Sequence, residues 1–388
     1  MLSSHVRLAA VYFLFFAIIG AFLPYLPVYL QSLGFGAADI GAILAVGMTT
    51  KVIAPNLWAW LSDRQTQRVP LVRGGVLASM GAFALLVWTP PLFWPVALAL
   101  AFHSFFWNGI LPQFEVVTLQ HMRGREADYG GVRLWGSIGF VLAVLGVGTI
   151  TQAYGIHTFL PTVLALQLVL LLLTLLVPEA QAARQPELPQ AVNKLWSVVR
   201  EPGVVAFLVA IALMQASHGP YYTFFTIQVE SLGYTRVEAS ILWVLGVVAE
   251  VAMFAYAPAL LRRYNADYLL IICFAVTSLR WLMTGFGAEQ VVVLVLAQLM
   301  HAVSFGLYHA AAIQIVRARF SGAVQGRGQA LYSSIGYGVG GAVGGLASGV
   351  LWENFGPQTT YTMAAIAAIA GTIVLLLYRR HVAVNIAR

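Results

Sequence analysis

The run LGVVAEVAMFA, Leu245 to Ala255, sets one carboxylate, Glu250, among ten apolar residues. Lys51, His218, Arg280 and His301 lie in similarly apolar surroundings. The chemistry open to such a set is proton binding and release. Burial disfavours the charged form of a carboxylate and a nearby guanidinium favours it, so a glutamate moving into and out of contact with Arg280 takes up and gives back a proton. The alternative is a static ion pair between Glu250 and Arg280 that fixes helix packing. His218 and His301 are candidates for the same proton path, or for plain hydrogen bonds across helices. His103 and His309 show no partner in the sequence. If Glu250 and Arg280 neutralise each other, Lys51 is left as a cation suited to an organic carboxylate. Its competing reading is a pair with Glu115, for which Arg133 is a rival partner.

These side chains need apolar spans to hold them. Hydrophobic residues make up 60% of the 388 and charged residues 9%, with a mean hydropathy of +0.83, which excludes an ordinary soluble domain. Twelve runs approach the ~20 residues that cross a bilayer: α1 (8–31), α2 (38–61), α3 (71–89), α4 (94–118), α5 (131–152), α6 (158–177), α7 (203–229), α8 (239–261), α9 (267–286), α10 (290–315), α11 (328–351) and α12 (358–378). With both termini inside, 18 of the 21 lysines and arginines fall on the cytoplasmic side. Arg236 falls outside, and Lys51 and Arg280 fall within spans. The net charge of +7 is therefore a topology signal and does not imply nucleic-acid binding. The first run is too long for a signal-peptide core and is expected to stay as α1 of a multi-pass inner (plasma) membrane protein. Cys273, the lone cysteine, excludes an internal disulfide and a cysteine-based metal site.

The polar stretch 178–202 reads as a cytoplasmic linker between an N-terminal six-helix bundle (1–177) and a C-terminal one (203–388). Internal repetition supports this all-α architecture of two pseudo-symmetric bundles. QSLGF at Gln31 recurs as ESLGY at Glu230, 199 residues on, and RLWGSIGF at Arg133 recurs as ALYSSIGY at Ala330, 197 on. The offset carries Gly47 onto Gly246, Lys51 onto Glu250, and His103 onto His301. Glu250, His301 and His218 each lie about 11 residues from the outer end of a span, so at 1.5 Å rise per residue they share one level. Arg280 is about 6 residues from its end and long enough to descend to Glu250. In transporters built from repeats, substrates and ions bind near the midplane at the repeat interface.

Phe105, Phe106, Trp107, Tyr221, Tyr222, Trp243 and Trp281 neighbour these groups and are candidates to stack on a substrate ring, or to pack helices. The small residues of SSIGYGVGGAVGGLASG in α11 allow close helix contact. Pro24, Pro27, Pro55, Pro112 and Pro220 mark kinks. No GxxxxGK[ST], HExxH or GxSxG occurs, so no enzyme chemistry, nucleotide use, metal or cofactor is expected.

Over essentially its whole length the chain resembles the major facilitator superfamily. Its loop between α2 and α3, AWLSDRQTQR, keeps Asp63, Arg64 and Arg68 of the superfamily motif but neither glycine. DYGGVRLWGSIGFV (from Asp128), LWVLGVVAEVAMFA (from Leu242) and ASHGPYY (from Ala216) are similar to the 3-phenylpropionate permease family, near the lactose permease type of proton symporter. The resemblance implies import of a small organic acid driven by the proton gradient, in a monomer. Proton coupling then falls to Glu250, Arg280, His301 and His218. Substrate contacts fall to Lys51, Glu115, Phe106, Trp107, Tyr221, Tyr222, Trp243 and Trp281, and gating to Asp63, Arg64, Arg68, Asp128 and Arg133. Unlike lactose permease, α10 carries no acid beside its histidine, which places the burden on Glu250. Glu115, near where related permeases carry an acid, keeps a sugar or nucleoside importer open as the second reading. A drug-efflux antiporter is disfavoured because α5 lacks a GxxxGP ending. A non-transporting membrane receptor is the reading from another class.

Overall fold

The computed structural model describes residues 4–65, 67–124, 129–179 and 190–386; Asp128 lies outside them, as does the side chain of Asp63. Among the described residues the regular structure is helical. Eleven helical stretches are long and apolar enough to span a membrane: Ser4–Ser32 (α1), Ala37–Ser62 (α2), Val69–Val87 (α3), Phe93–His121 (α4), Tyr129–Tyr154 (α5), Ile156–Leu175 (α6), Pro202–Ser231 (α7), Arg236–Arg263 (α8), Ala266–Phe286 (α9), Val291–Arg319 (α10) and Gln325–Arg379. The last is twice the length needed, and it breaks at Gly356 (φ 77°, ψ −179°), followed by Pro357. Positive φ favours glycine, and the proline lacks an N–H to continue the ladder. The break divides the stretch into α11 and α12, so the expected twelve spans are present. The linker contains a short helix, Gln190–Val199.

Two compact units result, Met1–Gln185 with Thr223–Val244, and Pro186–Tyr222 with Leu245–Arg388. In the first, α1 packs on α5 and α6, α2 on α4, and α3 on α4 and α6. In the second, α7 packs on α11 and α9 on α10 and α12. The duplication is visible at single residues. A Cβ on Gly20 of α1 would run into the Phe140 backbone of α5, and one on Gly219 of α7 into the Gly344 backbone of α11. These two glycines are 199 residues apart, the offset of the QSLGF repeat.

The division differs from the expected break at the linker in one respect: the hairpin 223–244, joining α7 to α8, belongs to the first unit. Its bonds explain this. Tyr25 donates to the Val144 carbonyl at 2.6 Å and lies 2.6 Å from Ser240 Oγ. Arg236 grips Glu230 through Nε (2.6 Å) and Nη2 (2.9 Å), and its Nη1 donates to the Thr151 carbonyl at 3.1 Å. Gln152 Oε1 accepts from the Val237 backbone at 2.9 Å.

Helix ends on the arginine-rich side of the first unit exchange caps. Glu179, just past α6, accepts from the Arg68 and Val69 N–H groups at 2.9 and 3.0 Å, the orphan donors that begin α3. Arg73 in turn donates to the Thr174 and Val177 carbonyls at 3.2 and 3.1 Å, and Arg7 to Leu176 at 3.0 Å, at the carbonyl end of α6.

Candidate functional site

The ionisable groups of the second unit form one bonded chain. His301 Nε2 lies 3.2 Å from Glu250 Oε2, and its Nδ1 lies 2.9 Å from Arg280 Nη1. A guanidinium can only donate, so Nδ1 must be the lone pair, Nε2 carries the hydrogen, and the ring is neutral. The imidazole thus separates carboxylate from guanidinium. This corrects the expectation of direct contact between Glu250 and Arg280. The physical reason is where Arg280 spends its donors: Nη1 also reaches Ser304 Oγ at 3.0 Å and Nε the Ala297 carbonyl at 2.8 Å, all on α10, while Nη2 is buried without a partner.

Local backbone irregularities set this geometry. α7 is interrupted at His218 (φ −80°, ψ −7°), where Pro202–Ser217 ends and Gly219 starts the next helix with Pro220 in its first turn. Directly after His301, residues Ala302–Leu307 form a π-helical turn, and α11 carries a second one at Ser334–Gly340. Such wide turns occur often at functional sites. Nothing in the sequence pattern announced them.

Aromatic residues hold the guanidinium in place. It lies 4.4 Å from the Tyr221 ring centroid and 4.6 Å from that of Trp281. Tyr221 donates to Gln298 Oε1 at 2.9 Å and Trp281 to Ser217 Oγ at 3.2 Å. Both rings are closed off, with Trp281 at 0% and Tyr221 at 1% exposure. They support Arg280 in this conformation. Tyr222 is half-buried. His218 donates from Nδ1 to the Met214 carbonyl at 2.9 Å and packs edge-on to Trp281; it makes no bond to the Glu250 chain.

The first unit holds the remaining candidates. Lys51 is half-buried on α2, beside Thr50, whose hydroxyl accepts from Asn108 of α4 at 2.9 Å. Of the two partners open to Glu115, the structure uses Arg133, at 3.8 Å, with Tyr129 donating at 3.3 Å. Arg133 also lies over the Phe16 ring at 4.5 Å. Trp107 stacks on Phe15 at 4.4 Å and Phe106 meets Trp58 edge-on. Trp243 is buried against Phe225 and donates to Thr226 Oγ1 at 3.0 Å, so the 223–244 hairpin claims it. Among the gating candidates, Arg68 bonds Ser62 (2.9 Å) and Gln113 (2.6 Å), tying the end of α2 to α4, and Arg64 stacks on Trp60. His103, the repeat mate of His301, has a partner after all: Ser79 Oγ of α3, 2.9 Å from Nδ1. Both histidines thus bond through Nδ1 to the preceding span. Among the described residues no group of three or more His, Cys, Asp or Glu could hold a metal.

Comparison with known proteins gives this architecture a context. The sequence model of the MFS_1 like family matches residues 5–363. A probable 3-phenylpropionic acid transporter of Escherichia coli (strain K12) is 30% identical over 376 residues, 95% of this chain and 96% of the relative. The maltose permease of Geobacillus stearothermophilus is 28% identical over 378 residues, 94% and 92% of the two chains. Among solved structures, the nucleoside transporter NupG superposes with a TM-score of 0.86 at 20% identity, over 97% of this chain and 99% of that one.

Proposed function

The chain belongs to the MFS_1 like family of membrane transporters, and on that premise we propose that it imports a small organic carboxylate of the aromatic-propionate kind together with protons, with Glu250 as the proton carrier. The observation that carries the reading is the hydrogen bond from His301 to Glu250. A neutral Nε2–H can donate both to a carboxylate oxygen, where the bond is stronger, and to the carbonyl oxygen of the protonated acid. Glu250 can therefore take up a proton on its other oxygen without losing its partner. The guanidinium, one ring away, stabilises the charged form without neutralising it at contact distance. In this reading the proton gradient is the energy source, no cofactor takes part, the chain acts as a monomer with both termini cytoplasmic, and the cell's inner membrane houses it.

For the substrate's carboxylate, Lys51 is the better-placed cation: it is half-buried, whereas Arg280 is 0% exposed. The relative named for 3-phenylpropionic acid supports that substrate class. A second reading, a sugar or nucleoside symporter, is favoured by the maltose permease and NupG likenesses and runs through Glu115. Uptake of labelled 3-phenylpropionate, maltose and uridine into proteoliposomes separates the two. The carboxylate reading expects 3-phenylpropionate uptake that drops about tenfold or more in Lys51→Ala, more than 1.4 kcal/mol of binding, and persists in Glu115→Gln. Maltose or uridine uptake that survives Lys51→Ala and fails in Glu115→Gln establishes the second reading instead.

The bridging role of His301 has its own test. Glutamine at 301 can accept from Arg280 through Oε1 and donate to Glu250 through Nε2, so His301→Gln should keep most of the net uptake. His301→Leu lets guanidinium and carboxylate meet and should lower initial rates under an imposed pH gradient about tenfold, roughly 1.4 kcal/mol. Equal rates in the two variants would remove the bridge from the account.

A further inference from the structure

His309 lies two helical turns beyond His301 on α10 and is absent from the coupling set above. Building on the proton-coupled reading, we propose that His309 is the proton-release station on the cytoplasmic side, receiving the proton that Glu250 gives up and handing it to cytoplasmic water.

Three features support it. The first is alignment. His301, Phe305 and His309 occupy every fourth position of α10, and the Phe305 ring lies nearly parallel to both imidazoles, 5.2 Å from His301 at 12° and 6.2 Å from His309 at 9°. At 1.5 Å per residue, His309 is about 12 Å nearer the arginine-rich end of the helix, the end that the charge bias assigns to the cytoplasm. The second is its bonding. His309 Nδ1 lies 3.1 Å from Tyr332 Oη and 3.2 Å from Tyr337 Oη, both on α11. A phenol both donates and accepts. With neutral His309 a tyrosine hydroxyl donates to the Nδ1 lone pair; with the imidazolium, Nδ1–H donates to a tyrosine oxygen. The site accepts either protonation state by turning hydroxyl hydrogens, with no heavy atom displaced. His301 is denied this freedom, because its Nδ1 faces a guanidinium that can only donate. The third is proximity to charge. Glu250 of α8 packs against this stretch of α10: a Cβ on Gly306, three residues before His309, would lie 3.4 Å from Glu250 Cγ. Phe254 of α8 closes one side of the imidazole edge-on, and the side chain is half-buried.

The step balances as a proton transfer. Glu250 carboxylic acid and neutral His309 become Glu250 carboxylate and His309 imidazolium, by way of intervening water. The imidazolium then yields its proton to water on the cytoplasmic side. A histidine that exchanges its proton with cytoplasmic water makes the release step sensitive to cytoplasmic pH. A rising internal proton concentration keeps it charged and blocks the next release from Glu250.

The test compares net uptake with substrate exchange in proteoliposomes, using whichever of 3-phenylpropionate, maltose or uridine the native protein carries. Exchange between labelled outside and unlabelled inside substrate needs no proton release; net uptake does. His309→Gln is expected to slow net uptake about tenfold while exchange stays within twofold of native. It should also erase the decline of native net uptake as internal pH is lowered from 7.5 to 5.5, a span that brackets the histidine range. Tyr332→Phe/Tyr337→Phe should slow net uptake in the same selective way. A variant that is merely misfolded loses both activities together, and in that case His309→Asn, which keeps an Nδ1-like acceptor, supplies the same comparison. Unchanged net-to-exchange ratios and an unchanged internal-pH profile in folded variants would overturn the relay while leaving Glu250 as carrier. Absence of substrate-driven proton movement in the native protein would instead overturn the coupled reading itself.

Discussion

Glu250→Gln is expected to exchange substrate across proteoliposome membranes at near-native rates while accumulating none against a concentration gradient. Glutamine keeps the shape of the protonated acid, and its carbonyl oxygen still accepts from His301, so packing around α8 and α10 survives. What disappears is the group that changes charge. The cycle becomes permanently loaded, and net uptake driven by a pH gradient should fall at least about 100-fold, close to 3 kcal/mol in the coupled step. Glu250→Asp keeps the charge but withdraws it from His301 by one methylene, and it should retain coupling at a reduced rate. Accumulation by the glutamine variant at more than a tenth of the native level would remove Glu250 from the carrier role.

The second large effect belongs to a residue with no ionisable group. A Cβ on Gly344 would fall inside the Ala216 backbone of α7, and one on Gly340 would meet the Ala212 carbonyl. At this crossing α11 lies against α7 just before the His218 interruption that leads into Tyr221. Valine at 344 must push the two helices apart, at a cost of about 3 kcal/mol from overpacking alone, and withdraw Tyr221 from Arg280. Gly344→Val should therefore yield little folded protein, or protein with a thermal midpoint lowered by several degrees and no transport. Gly146→Val in α5 is the control: no atom lies within 4 Å of its added Cβ, and it should behave as native. Comparable stability of the two variants, measured by size-exclusion yield and thermal unfolding in detergent, would show that the α7 to α11 approach is not a constraint.

The parts of the structure that could be read in the sequence are those that depend on period and length. Apolar runs of bilayer length located the spans, and the QSLGF and ESLGY strings located the duplication that Gly20 and Gly219 confirm at the level of backbone contact. The common level of Glu250 and His301 followed from counting residues along helices. Side-chain reach did not follow. Arg280 has the length to touch Glu250, yet three donor bonds to Ala297, His301 and Ser304 hold it on α10, and no spacing rule anticipates which acceptors a long side chain will choose. The π turns after His301 and in α11 were equally hidden, because a one-residue widening leaves the hydrophobic pattern intact. The assignment of 223–244 to the first unit rests on Tyr25, Ser240, Glu230 and Arg236, ordinary polar residues near span ends that carry no signal until their partners are known. Glu179 directly after α6 and Arg73 early in α3 carry the signs that their own helix ends repel and the opposite ends of a neighbouring helix attract. Their exchange of caps was open to inference.

Proton movement by the native protein tests the central claim most directly. Proteoliposomes with a trapped pH-sensitive dye, no imposed gradient and 3-phenylpropionate added outside at pH 6.5 should acidify internally as substrate enters and alkalinise the medium, and a protonophore should abolish the signal. Substrate entry with no change in internal pH, once passive entry of the uncharged acid has been subtracted with protein-free vesicles, would contradict proton coupling through Glu250.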